Sequence, residues 1–186
     1  DKIVEACSIL IITHDHPDGD AYGSALGLKN FLSYYFPEKE IDVFINSKEN
    51  KNRFAFMPGY NDVIYRNSEC YENILNKSYD VIFCLDLGKI SRIKDENIIN
   101  LVMRNLDKTI YLDHHDTSEK VFCMFYLNYK TVSSTSELVA GYFIKNIFGD
   151  CEINKDAALC FYVGIVTDTG KFSYNKTSKF THIISS

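Results

Sequence analysis

Short apolar runs alternate with longer stretches of helical periodicity along this chain. Runs rich in β-branched and aromatic residues predict strands over Cys7–Thr13, Ile41–Asn46, Asp62–Arg66, Asp80–Asp86, Thr109–Asp113 and Val121–Leu127. The first, fourth and fifth are almost unbroken apolar text, the pattern of strands covered on both faces in a parallel sheet. Apolar positions three and four apart predict helices over Ala21–Tyr35, Asn97–Asn105, Ser136–Phe148 and Lys155–Thr167. Ser134 with Glu137 reads as a capping box for the third, Gly149 as its stop, and Asn154 as the cap of the fourth. Strands alternating with helices define an α/β fold, a mainly parallel sheet with flanking helices. Such sheets gather ligands beyond the carboxyl ends of their strands, so functional side chains are expected where apolar runs end.

Composition bounds this picture without changing it. With 186 residues, 46% apolar and 24% charged, the chain is too apolar for a disordered segment. It is long enough for a core without disulfide or metal staples. The net charge of −5 disfavours a chain that wraps duplex DNA through a general basic surface. Six cysteines without a C-x-x-C pair read as free, buried thiols of a reducing cytoplasm, with a zinc site or disulfide framework as the alternative. No apolar run approaches the roughly 20 residues of a membrane span, and no signal peptide is expected. Polar Lys48–Asn52 reads as a solvated loop. The start at Asp1 and the ending TSKFTHIISS are expected of a segment cut from a longer protein.

Candidate chemistry falls in four places, each at the end of an apolar run. His14, Asp15, His16, Asp18 and Asp20 crowd a turn broken by Pro17 and Gly19. Imidazole and carboxylate together suit Mn²⁺, Mg²⁺, Fe²⁺ or Zn²⁺, although Asp, Pro and Gly also build ordinary surface turns. Asp86 ends YDVIFCLD, with Arg92 six residues on, where it could face a phosphate. Asp113-His114-His115-Asp116 ends TIYLD. Adjacent side chains on a strand point oppositely, so His114 and His115 are equivalent only if the chain has already turned. Asp168 ends a helical run within GIVTDTGKF.

The order HDHPDGDAYGS, CLDLG, LDHH, GIVTDTGKF resembles the DHH phosphoesterase superfamily, nearest its bacterial oligoribonuclease and 3′-phosphoadenosine-5′-phosphate phosphatase branch. The resemblance runs from about Ile9 to Phe172. It implies a Rossmann-like DHH domain with two divalent ions, most often Mn²⁺, with Mg²⁺ as the alternative. His14, Asp18 and Asp86 would hold the first ion; Asp20, Asp86, His114 and Asp168 the second, with Asp86 bridging. Asp113 would orient His114, and His115 would meet the substrate phosphate. Glu137 matches a family position but reads as a helix cap, and His16 as a spectator. The resemblance further implies a DHH catalytic domain over residues 1–175 and the start of a linker over 176–186. A second, glycine-rich substrate-binding domain is not matched in this chain. Substrates would be short RNA or nucleotides, in the cytoplasm, with a homodimer as a plausible assembly. Pyrophosphatase, exopolyphosphatase and cyclic-dinucleotide phosphodiesterase activity stand as alternatives, as does a metal- or nucleotide-binding module without turnover. Of the −5 net charge, the four implied Asp ligands account for −4, which two divalent ions would balance.

Overall fold

The computed structural model describes residues 2–46, 52–117 and 121–186. Among the described residues, five strands form one parallel sheet: β1 (Ser8–Ile12), β2 (Glu40–Phe44), β3 (Val81–Leu85), β4 (Thr109–Asp113) and β5 (Phe125–Asn128), in the order β2-β1-β3-β4-β5. Alternate side chains of each strand enter separate cores. Ile9, Ile11, Phe83, Leu85 and Leu112 face one, and Leu10, Ile12, Ile82, Cys84 and Tyr111 face the other. Both faces are therefore buried, which is why the central strands read as unbroken apolar runs. The first core lies under α2 (Gly19–Tyr35) and α7 (Lys155–Asp168); the second lies under α3 (Tyr71–Asn76) and α4 (Glu96–Met103). β1 connects to β2 on one side and neighbours β3 on the other, so the strand order reverses between β1 and β3. That switch point is where such a sheet opens a crevice at its carboxyl edge.

Several expectations change. Asp62–Arg66 is not a strand: a 3₁₀ turn takes Tyr60–Asp62, and only Ile64 bridges to Phe44. The amide of Tyr65 donates to the Ser68 hydroxyl at 2.9 Å instead of to a ladder, which ends the pairing. The last strand starts four residues late, at Phe125, where its register with Ile110 begins. The third helix is α5 (Thr135–Leu138), a π turn over Val139–Phe143, and α6 (Ile144–Phe148). Asn154 does sit at the cap position of α7, but its side chain makes no capping hydrogen bond. Of the expected loop at Lys48–Asn52, all but Asn52 lies outside the described residues, and Asn52 opens a 3₁₀ turn. All six cysteines are free; Cys84 and Cys160 are buried, whereas Cys7 and Cys70 are exposed. The sequence reading passed over α1 (Lys2–Glu5), α3 and α8 (Lys179–Ile184), each six residues or fewer.

Residues 176–186, expected as the start of a linker, carry α8, which is fastened to the domain by a buried carboxylate. Glu137 is 1% exposed and accepts from the Ser133 amide at 3.0 Å, the Ser133 hydroxyl and the Thr181 hydroxyl at 2.9 Å. Its carboxylate thus departs from the expected capping box, although Ser134 does accept from the Glu137 amide at 3.0 Å. Removing one donor from a buried carboxylate costs about 1–3 kcal/mol. Thr181→Val is therefore expected to lower the unfolding free energy by about 2 kcal/mol in a denaturant titration, where an incidental surface contact would shift it by less than about 0.5 kcal/mol.

Candidate metal centre

The carboxyl ends of β1, β3 and β4 deliver His14, Asp86 and the Asp113–His115 turn to one place. Helix α2 starts there and supplies Asp18 as its N-cap, accepting from the amides of Asp20 and Ala21, both at 3.0 Å. Helix α7 ends there with Asp168. Ligand atoms of His14, Asp18 and Asp86 lie within 4.8 Å of one another, as do those of Asp20, His114 and Asp168. A third such set, Asp86, His114 and His115, overlaps both. Asp86 stands between them: Oδ2 is 3.5 Å from His14 Nε2, and Oδ1 is 3.5 Å from His114 Nε2. His114 Nε2 also lies 3.4 Å from Asp168 Oδ2 and 3.9 Å from Asp20 Oδ2. The strand has already turned at His114, so both histidine rings face the cluster, 4.6 Å apart.

Asp113 does not orient His114. Its Oδ1 takes the His115 amide at 2.9 Å and His115 Nδ1 at 2.8 Å, and its Oδ2 takes the Gly88 amide. The reach of a side chain at the strand's last residue is set by the turn that follows, and this turn brings His115 back over Asp113. With Nδ1 held, His115 presents Nε2 to the Arg92 guanidinium at 3.3 Å. His16 is exposed, with φ 56°.

Sequence reasoning passed over Thr135. Its hydroxyl donates to Asp86 Oδ1 at 2.9 Å and its amide to Asp20 Oδ2 at 2.7 Å, while the Ser136 amide donates to Asp20 Oδ1 at 2.9 Å. The free amides at the start of α5 thus grip a carboxylate from α2. The recognisable cap at Ser134 was the available signal, because it marks where those unpaired donors begin.

Charge in the cluster is crowded. Burial, with the neighbouring Asp86, pushes the Asp20 carboxyl well above its usual range. Burial likewise raises Asp168, against the pull of His114. Burial would raise Asp86 too, but His114 and His14 hold it far below the ordinary carboxylate range. Burial opposes a charge on His114, yet Asp86, Asp20 and Asp168 raise its pKa to about 9. His14 follows the same balance, with burial outweighed by Asp86. Such a crowd of carboxylates favours added positive charge among them. The donor set fits a metal in a second respect. His14 Nδ1 must donate to the Asp15 carbonyl, at 2.7 Å, so the neutral ring turns its lone pair toward the cluster at Nε2, a buried atom without a hydrogen-bond partner. A backbone carbonyl behind the distal nitrogen is the usual support of a metal-ligating imidazole.

Fold and cluster together define a parallel-sheet α/β domain with an acidic and histidine-rich centre at its switch point. The sequence matches the DHH family, N-terminal domain, over residues 8–165, and the chain belongs to that family of metal-dependent phosphoesterases. It is 29% identical over its whole length to the probable bifunctional oligoribonuclease and PAP phosphatase NrnA of Streptococcus mutans, covering 53% of that protein. Against the bifunctional oligoribonuclease and PAP phosphatase NrnA of Bacillus subtilis it is 29% identical, with 94% of this chain and 50% of that one aligned. The crystal structure of an exopolyphosphatase-related protein from Bacteroides fragilis superposes with a TM-score of 0.85 at 34% identity, over 98% of this chain and 52% of that one. A putative family II inorganic pyrophosphatase from Methanococcus jannaschii shares the fold, with a TM-score of 0.62 at 21% identity over 95% and 53% of the two chains. The chain spans about half the length of the curated relatives it matches. Among the described residues, no helix is long and apolar enough to cross a membrane.

Proposed function

We propose that this chain is the catalytic part of a two-metal phosphoesterase that hydrolyses short nucleotides, among them oligoribonucleotides and 3′-phosphoadenosine-5′-phosphate. The carrying observation is Asp86, whose two oxygens face separate ligand sets 3.5 Å away on either side. His14, Asp18 and Asp86 would hold one divalent ion, and Asp20, Asp86, His114 and Asp168 the other, with Mn²⁺ favoured over Mg²⁺ by the imidazoles. When bound, such ions would acidify a water and offset the charge of the phosphate.

The remaining work belongs to the chain itself. Thr135 fixes Asp86 and Asp20 through its hydroxyl and amide, so the carboxylates need not reorganise as charge develops. Asp113 locks the His115 ring, and His115 with Arg92 would meet a phosphate oxygen outside the ion pair. The relatives named as oligoribonucleases support the nucleotide substrate. The exopolyphosphatase-related neighbour supports an inorganic polyphosphate as the second reading. Free thiols fit a reducing cytoplasm.

A substrate panel on the full-length protein separates the readings. With Mn²⁺, a diribonucleotide and 3′-phosphoadenosine-5′-phosphate are expected to be cleaved faster than pyrophosphate, polyphosphate or a cyclic dinucleotide. Chelation should remove the activity, and added Mn²⁺ should restore it. Preference for pyrophosphate or polyphosphate would overturn the nucleotide assignment.

A further inference from the structure

Beside the metal cluster a cleft of about 380 Å³ opens between Ser133, His114 and Asp168 on one wall and Ser173, Tyr174 and Lys176 on the other. That volume lies at the small end of the range for bound small molecules. The second wall is built at some cost. Gly170, Lys171 and Phe172 follow one another at φ 55°, 60° and 66°, a left-handed run that two non-glycine residues adopt only against strain. Thr169, 1% exposed, holds the turn: its hydroxyl accepts the Phe172 amide at 3.0 Å, and its carbonyl accepts the amides of Ser173 and Tyr174, both at 3.0 Å. Phe172 then stacks on His182 of α8, with ring centres 5.1 Å apart.

The product of this turn is a fixed aromatic ring. A Cβ on Gly170 would fall 2.5 Å from Tyr174 Cζ, so the ring is seated against the bare Cα of Gly170. Tyr174 nevertheless stays 63% exposed. One exposed tyrosine is ordinary on a protein surface. A tyrosine backed by glycine, set by a strained turn and lining a cleft that also holds Asp168 and His114 is a platform with a free π surface. Lys176 adds a cation to the same cleft, which Asp168 also lines.

We propose that this cleft is the nucleoside subsite, in which the base of a nucleotide stacks on Tyr174 while its phosphate lies at the metal cluster. The assignment rests on the phosphoesterase reading and deepens it by naming what distinguishes a nucleotide from an inorganic phosphate. Stacking on an aromatic side chain tolerates every base, which suits hydrolysis of short RNA without sequence preference.

The test is calorimetric titration of the full-length protein in Mn²⁺ with adenosine 5′-monophosphate and, separately, inorganic phosphate. Tyr174→Ala is expected to weaken binding of the nucleotide by about tenfold and of phosphate by less than about twofold, the difference being the lost stacking. Tyr174→Phe, which keeps the ring, should bind both ligands as the natural protein does. Unchanged nucleotide affinity in Tyr174→Ala, or equal weakening of both ligands, would overturn the subsite. If nucleotide affinity is unchanged in Tyr174→Ala while Asp86→Asn loses both ligands, the metal cluster stands and the subsite alone falls. A natural protein that binds neither ligand would remove the phosphoesterase reading beneath it.

Discussion

Asp86→Asn is expected to reduce Mn²⁺-dependent hydrolysis by the full-length protein by about 10³-fold or more, a loss of about 4 kcal/mol of transition-state stabilisation. Asparagine is the informative replacement. Asp86 has φ 59°, a left-handed conformation that Asn tolerates and Ala does not. The Asn carbonyl can still accept the Thr135 hydroxyl that now reaches Asp86 Oδ1 at 2.9 Å. What disappears is the charge and the second acceptor facing His14. The fold should therefore persist, although the metal-free melting temperature should fall by several degrees because His114 and His14 lose the charge they face. Response to metal should not persist. A ligand at a hundred times its dissociation constant stabilises the state that binds it by about 2.7 kcal/mol. For a domain of this size that is a rise of roughly 5–10 °C. We expect that rise with Mn²⁺ in the natural protein and its loss in Asp86→Asn. Retention of most activity, or of the full thermal response, would remove Asp86 from the bridging position.

The sequence exposed the parts of this site that rest on one residue's place in one strand. His14, Asp86 and His114 follow unbroken apolar runs, and a strand buried on both faces announces its own end. Asp18 and Asp20 are legible for a related reason, since Pro17 and Gly19 mark the turn into α2. Relations between elements were not legible. Whether Asp113 serves His114 or His115 depends on the path of the chain after β4, which no periodicity encodes. Thr135 reads as an ordinary first-turn residue, and only the packing of α5 against α2, beside the residue that follows β3, gives its hydroxyl and amide two carboxylates to hold. The segment Asp62–Arg66 failed for a third reason. Alternation of Val63 and Tyr65 mimics a strand, but the Ser68 side chain captures the backbone donor that a ladder would need.

Gly23→Ala is expected to lower the melting temperature by roughly 5 °C and to cut activity with it, a result whose sign separates two effects. Helix propensity alone favours alanine over glycine by about 1 kcal/mol in the interior of α2. Packing opposes this. A Cβ on Gly23 would lie 2.7 Å from the Cys160 carbonyl oxygen, 2.7 Å from Gly164 Cα and 2.8 Å from the Gly164 amide nitrogen. All three are backbone atoms of α7, so no side chain can turn aside and the helices must separate. Overpacking of this kind costs about 1–3 kcal/mol, at about 2–4 °C per kcal/mol for a domain of this size. The loss of activity follows from what the two helices carry. Asp20 lies in the first turn of α2 and Asp168 ends α7, and their carboxylates meet only because Gly23 and Gly164 let the backbones touch. Activity measured well below the melting temperature should still be reduced, because the two carboxylates are displaced, whereas a variant damaged only in its folding would regain full activity there. A melting temperature at or above that of the natural protein would show that the helices have slack, and that the glycine pair does not set the spacing of the site.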